Sequence, residues 1–258
     1  MLELVLFEND AEGARRAMQA GISAFMVDLE LMGKDLRQLG FDTEIRPGQW
    51  SDLEAIAAEP GARAWCRINS YGEHTPGEVE NAVSAGASVV LLPMVRRADE
   101  VSAFLGLLNS RCEAAIMVET RECAEIAASL QNLPIDHVFF GLNDFAISRG
   151  NSFIFSAVAD GEVEAVRRAM PERSFGFGGL TDLRRGVPIP SARLLEELER
   201  LNCSFTFLRR SFRRDAQAIG AAEIVSGIQR YWRECARRSD EERLADHAAL
   251  LRVIEANR

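Results

Sequence analysis

With 258 residues, 47% of them hydrophobic, the chain can bury one large core, and its length suits a single α/β barrel of about 250 residues. A formal charge of -9 argues against nucleic acid or an anionic membrane as the main partner, because both select a net cationic face. No run of about 18 apolar residues occurs, and the start MLELVLFEND lacks the basic segment and long apolar stretch of a signal peptide, so a cytoplasmic protein with a small-molecule partner is expected.

Strand and helix patterns then alternate along the chain. Glu3–Phe7 and Ala24–Leu29 read as the first two strands. The loop-like stretch LMGKDLRQLG follows and carries Lys34, the single lysine among 30 basic residues. A Schiff-base mechanism would have to use that lysine, yet it lies in no strand that could desolvate it, so metal-dependent enolate chemistry fits better. Lys34 is then either a flexible ammonium near the site or a chance surface residue.

Ala64–Ile68 and Ser88–Leu92 form the third and fourth strands, and Ser51 with Glu54, and Thr75 with Pro76 and Glu78, mark helix starts between strands. Ala115–Val118 and His137–Phe140 read as buried parallel strands around a helical stretch, Arg121–Leu130. Glu119 and Asp144 therefore fall just past the carboxyl ends of neighbouring strands, where barrels and doubly wound sheets place their chemistry. Two carboxylates there can hold Mg²⁺ or Mn²⁺ and leave positions for water or substrate. Either acid alone reads first as a helix cap, and it is their paired placement on adjacent strands that brings the metal reading level with it.

Ser174–Gly178 and Cys203–Leu208 bring the strands to eight, and eight strands with intervening helices most economically make a (β/α)8 TIM barrel over residues 1–238. FGFGGLTD, Phe175–Asp182, fits a backbone phosphate site or a tight turn. LRRSFRRD, Leu208–Asp215, gathers Arg209, Arg210, Arg213 and Arg214, which suit an anionic group or, preferably, ion pairs between subunits. Beyond it, Ile219, Ile224, Ile228 and Trp232 share one helical face, and Leu244, Leu251 and Ile254 another. Residues 239–258 thus form an extra C-terminal helix that covers either its own barrel or a neighbouring subunit. Cys66, Cys112, Cys123, Cys203 and Cys235 have no spacing for zinc or a redox pair and read as reduced core thiols.

AGISAFMVDLE, RIN, AGASVVLLPMV, VET and FFGLNDFAISRG, in that order and spacing, resemble the HpcH/HpaI aldolase and citrate lyase beta-subunit family over about residues 20 to 150. The resemblance implies a barrel that binds Mg²⁺ or Mn²⁺ and makes or breaks a carbon–carbon bond next to an enolate. It implies that Glu119 and Asp144 are the metal ligands and that Arg67 contacts the keto or enolate oxygen. The backbone around Asn143 and Asp144 would hold the substrate carboxylate, with Gly141 permitting its close approach, and Asp28 and Glu30 would support metal-bound water. Arg67 also has a plainer reading as an interior salt bridge to Asp28 or Glu30.

Two departures stand out. Leu31 occupies the place of the histidine that serves the base step in the pyruvate aldolase branch, and Met117 replaces a glutamine two residues before the metal glutamate. Citrate lyase-type members also lack the histidine but read DLED where this chain reads DLEL. The base is then expected to be metal-bound hydroxide oriented by Glu30, with Lys34 assisting, or else His74 at the rim. His137 and His247 read as a core and a terminal-helix residue. The expected function is a metal-dependent, class II aldolase-like carbon–carbon lyase of a small 2-oxo acid, in a homo-oligomer, trimer or hexamer. The alternatives are cleavage of a 3-hydroxyacyl thioester of coenzyme A, and a non-catalytic barrel that binds a keto acid.

Overall fold

The computed structural model describes residues 1–31 and 47–258; Lys34 lies outside them. The strands are β1 Glu3–Phe7, β2 Ala24–Asp28, β3 Arg63–Arg67, β4 Val89–Leu92, β5 Glu113–Val118, β6 His137–Phe140, β7 Ser174–Phe177, β8 Gly179–Leu180 and β9 Phe205–Leu208. They form one sheet in the order β7-β6-β5-β4-β3-β2-β1-β9-β8, and every registered pair is parallel. Helices fill the crossovers, as parallel pairing demands.

The sheet curls until its ends meet. The Ser204 amide donates to the Phe175 carbonyl at 2.9 Å, and Thr206 Oγ1 to the Phe177 carbonyl at 2.9 Å. A Cβ on Gly176 would collide with the Phe205 carbonyl oxygen, so the close approach at the seam requires glycine there. Gly178, at φ 66°, ends β7 one residue short of the expected strand Ser174–Gly178, and beyond it lies a short strand the sequence did not predict, β8, which pairs with β9. The result is a nearly closed, TIM-like α/β barrel, as the strand count implied.

Alternation along each strand divides the core in two. Val5, Met26, Trp65, Leu91, Met117, Phe139, Phe205 and Phe207 fill the barrel. Their neighbours Leu4, Phe25, Cys66, Val90, Ile116 and Val138 point outward beneath the helices. Carried to the carboxyl ends, the same alternation turns Asp28 and Arg67 inward. At the amino ends it turns Glu3, Arg63, Glu113 and His137 inward, where Arg63 Nη1 donates to both Glu3 oxygens at 2.8 Å and Nη2 pairs with Glu113. His137 is buried there, its Nε2 2.5 Å from Glu113 Oε2.

The last helix, Asp240–Ala256, lies against Ser191–Arg200 of the same chain. Arg243 forks onto Glu199 at 3.0 and 2.9 Å, and His247 Nδ1 sits 2.9 Å from Glu197 Oε2. Leu250 and Ile254 are buried while Leu244 is exposed, so charged pairs make the contact in the first half of the helix and apolar ones in the second. The five cysteines are free thiols, and all but the half-buried Cys112 are buried. Among the described residues no helix is long and apolar enough to cross a membrane.

Candidate active site

Glu119 follows β5 directly and is 1% exposed. Thr120 caps the next helix, Arg121–Glu125, by accepting from the Cys123 amide at 3.1 Å, and that turn fixes where the Glu119 side chain begins. Its Oε1 accepts from the Met94 amide at 2.8 Å. Its Oε2 is buried with no hydrogen-bond partner among the described residues. A Cβ on Gly141 would lie 2.8 Å from that oxygen, so the glycine makes room for the glutamate itself, in addition to any substrate.

Gly141 also begins the helix Leu142–Ser148, whose first turn carries Asn143 and Asp144. The two acids share the site closely enough to repel. Burial pushes Glu119 up to about 7, Arg67 opposes that rise, and the Asp144 charge adds to it.

Arg67, the last residue of β3, donates from Nε to Asp28 Oδ1 at 2.9 Å and from Nη2 to Asp28 Oδ2 at 2.8 Å. Glu30 Oε2 stands 3.3 Å from the same Nη2, so the interior salt bridge is present with both acids. Nη1 points at the Met117 sulfur, 3.7 Å away, a weak acceptor. Burial works against the guanidinium charge, but Asp28, then Glu30 and Glu119, outweigh it and hold Arg67 firmly protonated.

Asn69 is a part the sequence reading passed over. Its Oδ1 accepts from the Leu31 amide at 2.9 Å, while Glu78 accepts from both its amide and its side chain. The loop that leaves β2 is thereby pinned to the loop that leaves β3, with Leu31 exposed at the rim. His74 precedes the helix Thr75–Ser84, and its Nε2 is 2.9 Å from the Ser70 carbonyl. Met94 and Thr120 were likewise given no role, although Thr120 could have been found as a helix cap three residues before Cys123.

Two of the four arginines after β9, Arg209 and Arg213, are engaged within the chain, while Arg214 remains largely exposed beside Asp215. Arg213 donates to Glu8 Oε2 at 2.9 Å and to the Phe7 carbonyl at 2.8 Å. Arg209 donates to the carbonyls of Gly179 at 2.7 Å and Ile189 at 3.0 Å. Asp215 takes Thr181 Oγ1 at 2.6 Å and Arg185 Nη1 at 2.7 Å. The glycines of FGFGGLTD serve the barrel seam and the end of β7.

A divalent ion fits this donor set. Among the described residues no group of three or more His, Cys, Asp or Glu is arranged to hold a metal. Mg²⁺, however, is commonly held by one or two carboxylates with water and substrate oxygens completing its shell. The orphaned Glu119 Oε2 is the oxygen such an ion would satisfy.

The molecule is therefore a parallel α/β barrel with a buried glutamate, Glu119, and a half-buried aspartate, Asp144, at its carboxyl mouth. Solved structures of this fold include RipC from Yersinia pestis, with a TM-score of 0.60 and 12% identity over 94% of this chain and 98% of that one. They also include the citrate lyase beta subunit of M. tuberculosis with oxaloacetate and magnesium, at TM-score 0.59 and 16% identity over 92% of this chain and 97% of that one. A third, from M. tuberculosis with magnesium, acetoacetate and coenzyme A, matches with a TM-score of 0.57 and 18% identity over 100% of this chain and 88% of that one. No protein-family model and no curated protein matches the sequence. The chain thus shares the barrel fold of these solved structures, the fold that the sequence resemblance implied.

Proposed function

We propose that this chain is a divalent-metal-dependent carbon–carbon lyase of a small 2-oxo acid, a divergent relative of the HpcH/HpaI aldolases and citrate lyase beta subunits. The observation that carries the reading is Glu119: a buried carboxylate with one oxygen tethered, one unsatisfied, and Asp144 and Arg67 as its charged neighbours. Glu119 and Asp144 would hold Mg²⁺ or Mn²⁺, which when bound supplies positive charge where enolate character develops on the keto oxygen.

The chain's own residues do the rest. Arg67 adds a second cation, and since Asp28 and Glu30 occupy Nε and Nη2, Nη1 is the donor it can offer to a substrate oxygen. The amides at the start of Leu142–Ser148, at Asn143 and Asp144, would receive the substrate carboxylate. Gly141 keeps that approach open. Glu30, 3% exposed and beside Arg67, would orient the water that takes up or returns the proton in place of the histidine replaced by Leu31. His74, turned onto its own loop, is the lesser candidate.

The ligands named with the solved relatives, oxaloacetate, pyruvate and acetoacetate with coenzyme A, support an oxo-acid or thioester substrate. Leu31, an apolar exposed residue where the pyruvate aldolase branch has histidine, favours cleavage of a coenzyme A thioester as the second reading. Exchange of the pyruvate methyl protons with solvent, followed with Mg²⁺ and after chelation, tests enolisation without knowledge of the other half of the substrate. Exchange that disappears with the metal supports the proposal; exchange that chelation leaves untouched refutes it.

A further inference from the structure

The loop that leaves β4 meets Glu119 through the amide of Met94. We infer that Met94, supported by Thr120 and Gly141, is a positioning residue that aims the Glu119 carboxylate; this rests on the reading of Glu119 as a metal ligand. Met94 has φ 53°, the left-handed region that a residue with a side chain disfavours. That turn delivers its amide to Glu119 Oε1 at 2.8 Å. A strained backbone persists where its surroundings over-determine it, and such residues gather at functional sites.

The surroundings here do so. Thr120, next to Glu119, donates its hydroxyl to the carbonyl of Val95, next to Met94, while accepting from the Cys123 amide. The ends of β4 and β5 are thus clamped at two consecutive residues, one clamp being the glutamate itself. Gly141 walls the other side: a Cβ there would meet Glu119 Oε2 at 2.8 Å, Glu119 Cβ at 2.9 Å and Met117 Cε at 3.2 Å. Swinging the carboxylate tip aside would not relieve the clash with the Glu119 Cβ. One oxygen is tethered and the other is held on the side of the helix that carries Asp144. Loss of a partner that orients a metal ligand typically costs about 10- to 100-fold in metal affinity.

The test uses the full chain, with Mg²⁺ titrated by calorimetry and amide exchange read by NMR. Gly141→Ala should weaken Mg²⁺ binding about 10- to 100-fold. Met94→Val, a β-branched residue that resists positive φ, should weaken it by a similar factor, while Met94→Gly, which keeps the amide and accepts the turn, should stay within about twofold of wild type. The Met94 amide should exchange slowly and speed up at least about tenfold in Glu119→Ala, because a purely structural turn would keep its protection. Wild-type affinity in both Gly141→Ala and Met94→Val overturns the inference, and so does a Met94 amide indifferent to Glu119→Ala. If Met94→Val fails to fold, Gly141→Ala and the exchange measurement decide. If wild type takes up no Mg²⁺ yet the Met94 amide is protected through Glu119, the metal reading falls and the aiming of the carboxylate stands.

Discussion

The two ends of β3 carry the same device with opposite outcomes. At the amino end Arg63 is shared by Glu3 and Glu113, with His137 on the latter. At the carboxyl end Arg67 is shared by Asp28 and Glu30, with Glu119 close by. At the floor, burial alone would raise the Glu113 carboxyl, but His137 and Arg63 outweigh it and hold it below the usual range. At the mouth Asp28 and Glu30 absorb the Arg67 fork, so Glu119 keeps an unsatisfied oxygen and is pushed up to about 7. Both floor acids are paired, although His137 Nδ1 has no hydrogen-bond partner among the described residues, whereas the mouth keeps an unpaired carboxylate oxygen that a cation would satisfy.

The largest expected effect lies at the mouth. Glu119→Ala or Asp144→Ala should abolish Mg²⁺ binding by calorimetry while the fold persists, since Glu119 leaves one buried oxygen unsatisfied and Asp144 stands only half-buried at the mouth. Next, Arg67→Lys keeps a charge but loses the fork, and should lower kcat about 100-fold with a smaller change in KM. At the floor Arg63→Ala should do the reverse, costing on the order of 2 kcal/mol in denaturant melts with kcat unchanged, because it strands Glu3 and Glu113. Loss of kcat in Arg63→Ala would erase the distinction.

The pH dependence should run in opposite directions at the two ends. The raised Glu119 favours the metal-free fold below the ordinary carboxylate range of about 4.5, and that contribution is lost as pH rises through about 7. By pH 8 the loss should be on the order of 3 kcal/mol relative to Glu119→Gln. Glu113 is depressed, so its contribution is present above the ordinary range and is lost as pH falls through its lower folded value. Thermal melts without metal against pH, with Glu119→Gln and Glu113→Gln alongside wild type, separate the two slopes. The smallest effect should be at His74, where His74→Ala should change turnover by less than about twofold because its ring faces the Ser70 carbonyl.

Much of this architecture is legible in the sequence because it follows period-two alternation. The inner residues of β3, Arg63, Trp65 and Arg67, can be read off RAWCR once the strand is recognised, and the acids Glu119 and Asp144 follow apolar runs that announce strand ends. The short extra strand Gly179–Leu180 was not legible, since a glycine run fits a turn, a phosphate loop or a kink equally. The Met94 tether was hidden for a deeper reason: a backbone amide has no side-chain signature, and nothing in LPMV marks a left-handed methionine. The contact face of the last helix also shifted, because Arg243 and His247 replace apolar packing with pairs to Glu199 and Glu197 that no periodicity reveals.

The central claim is that Glu119 and Asp144 share one divalent ion at the carboxyl mouth. Anomalous diffraction from crystals soaked in Mn²⁺ tests it most directly. The account predicts a single strong peak in contact with both carboxylates, absent in Glu119→Ala. A peak bound elsewhere, or none at Mn²⁺ concentrations that saturate ordinary two-carboxylate sites, would contradict it.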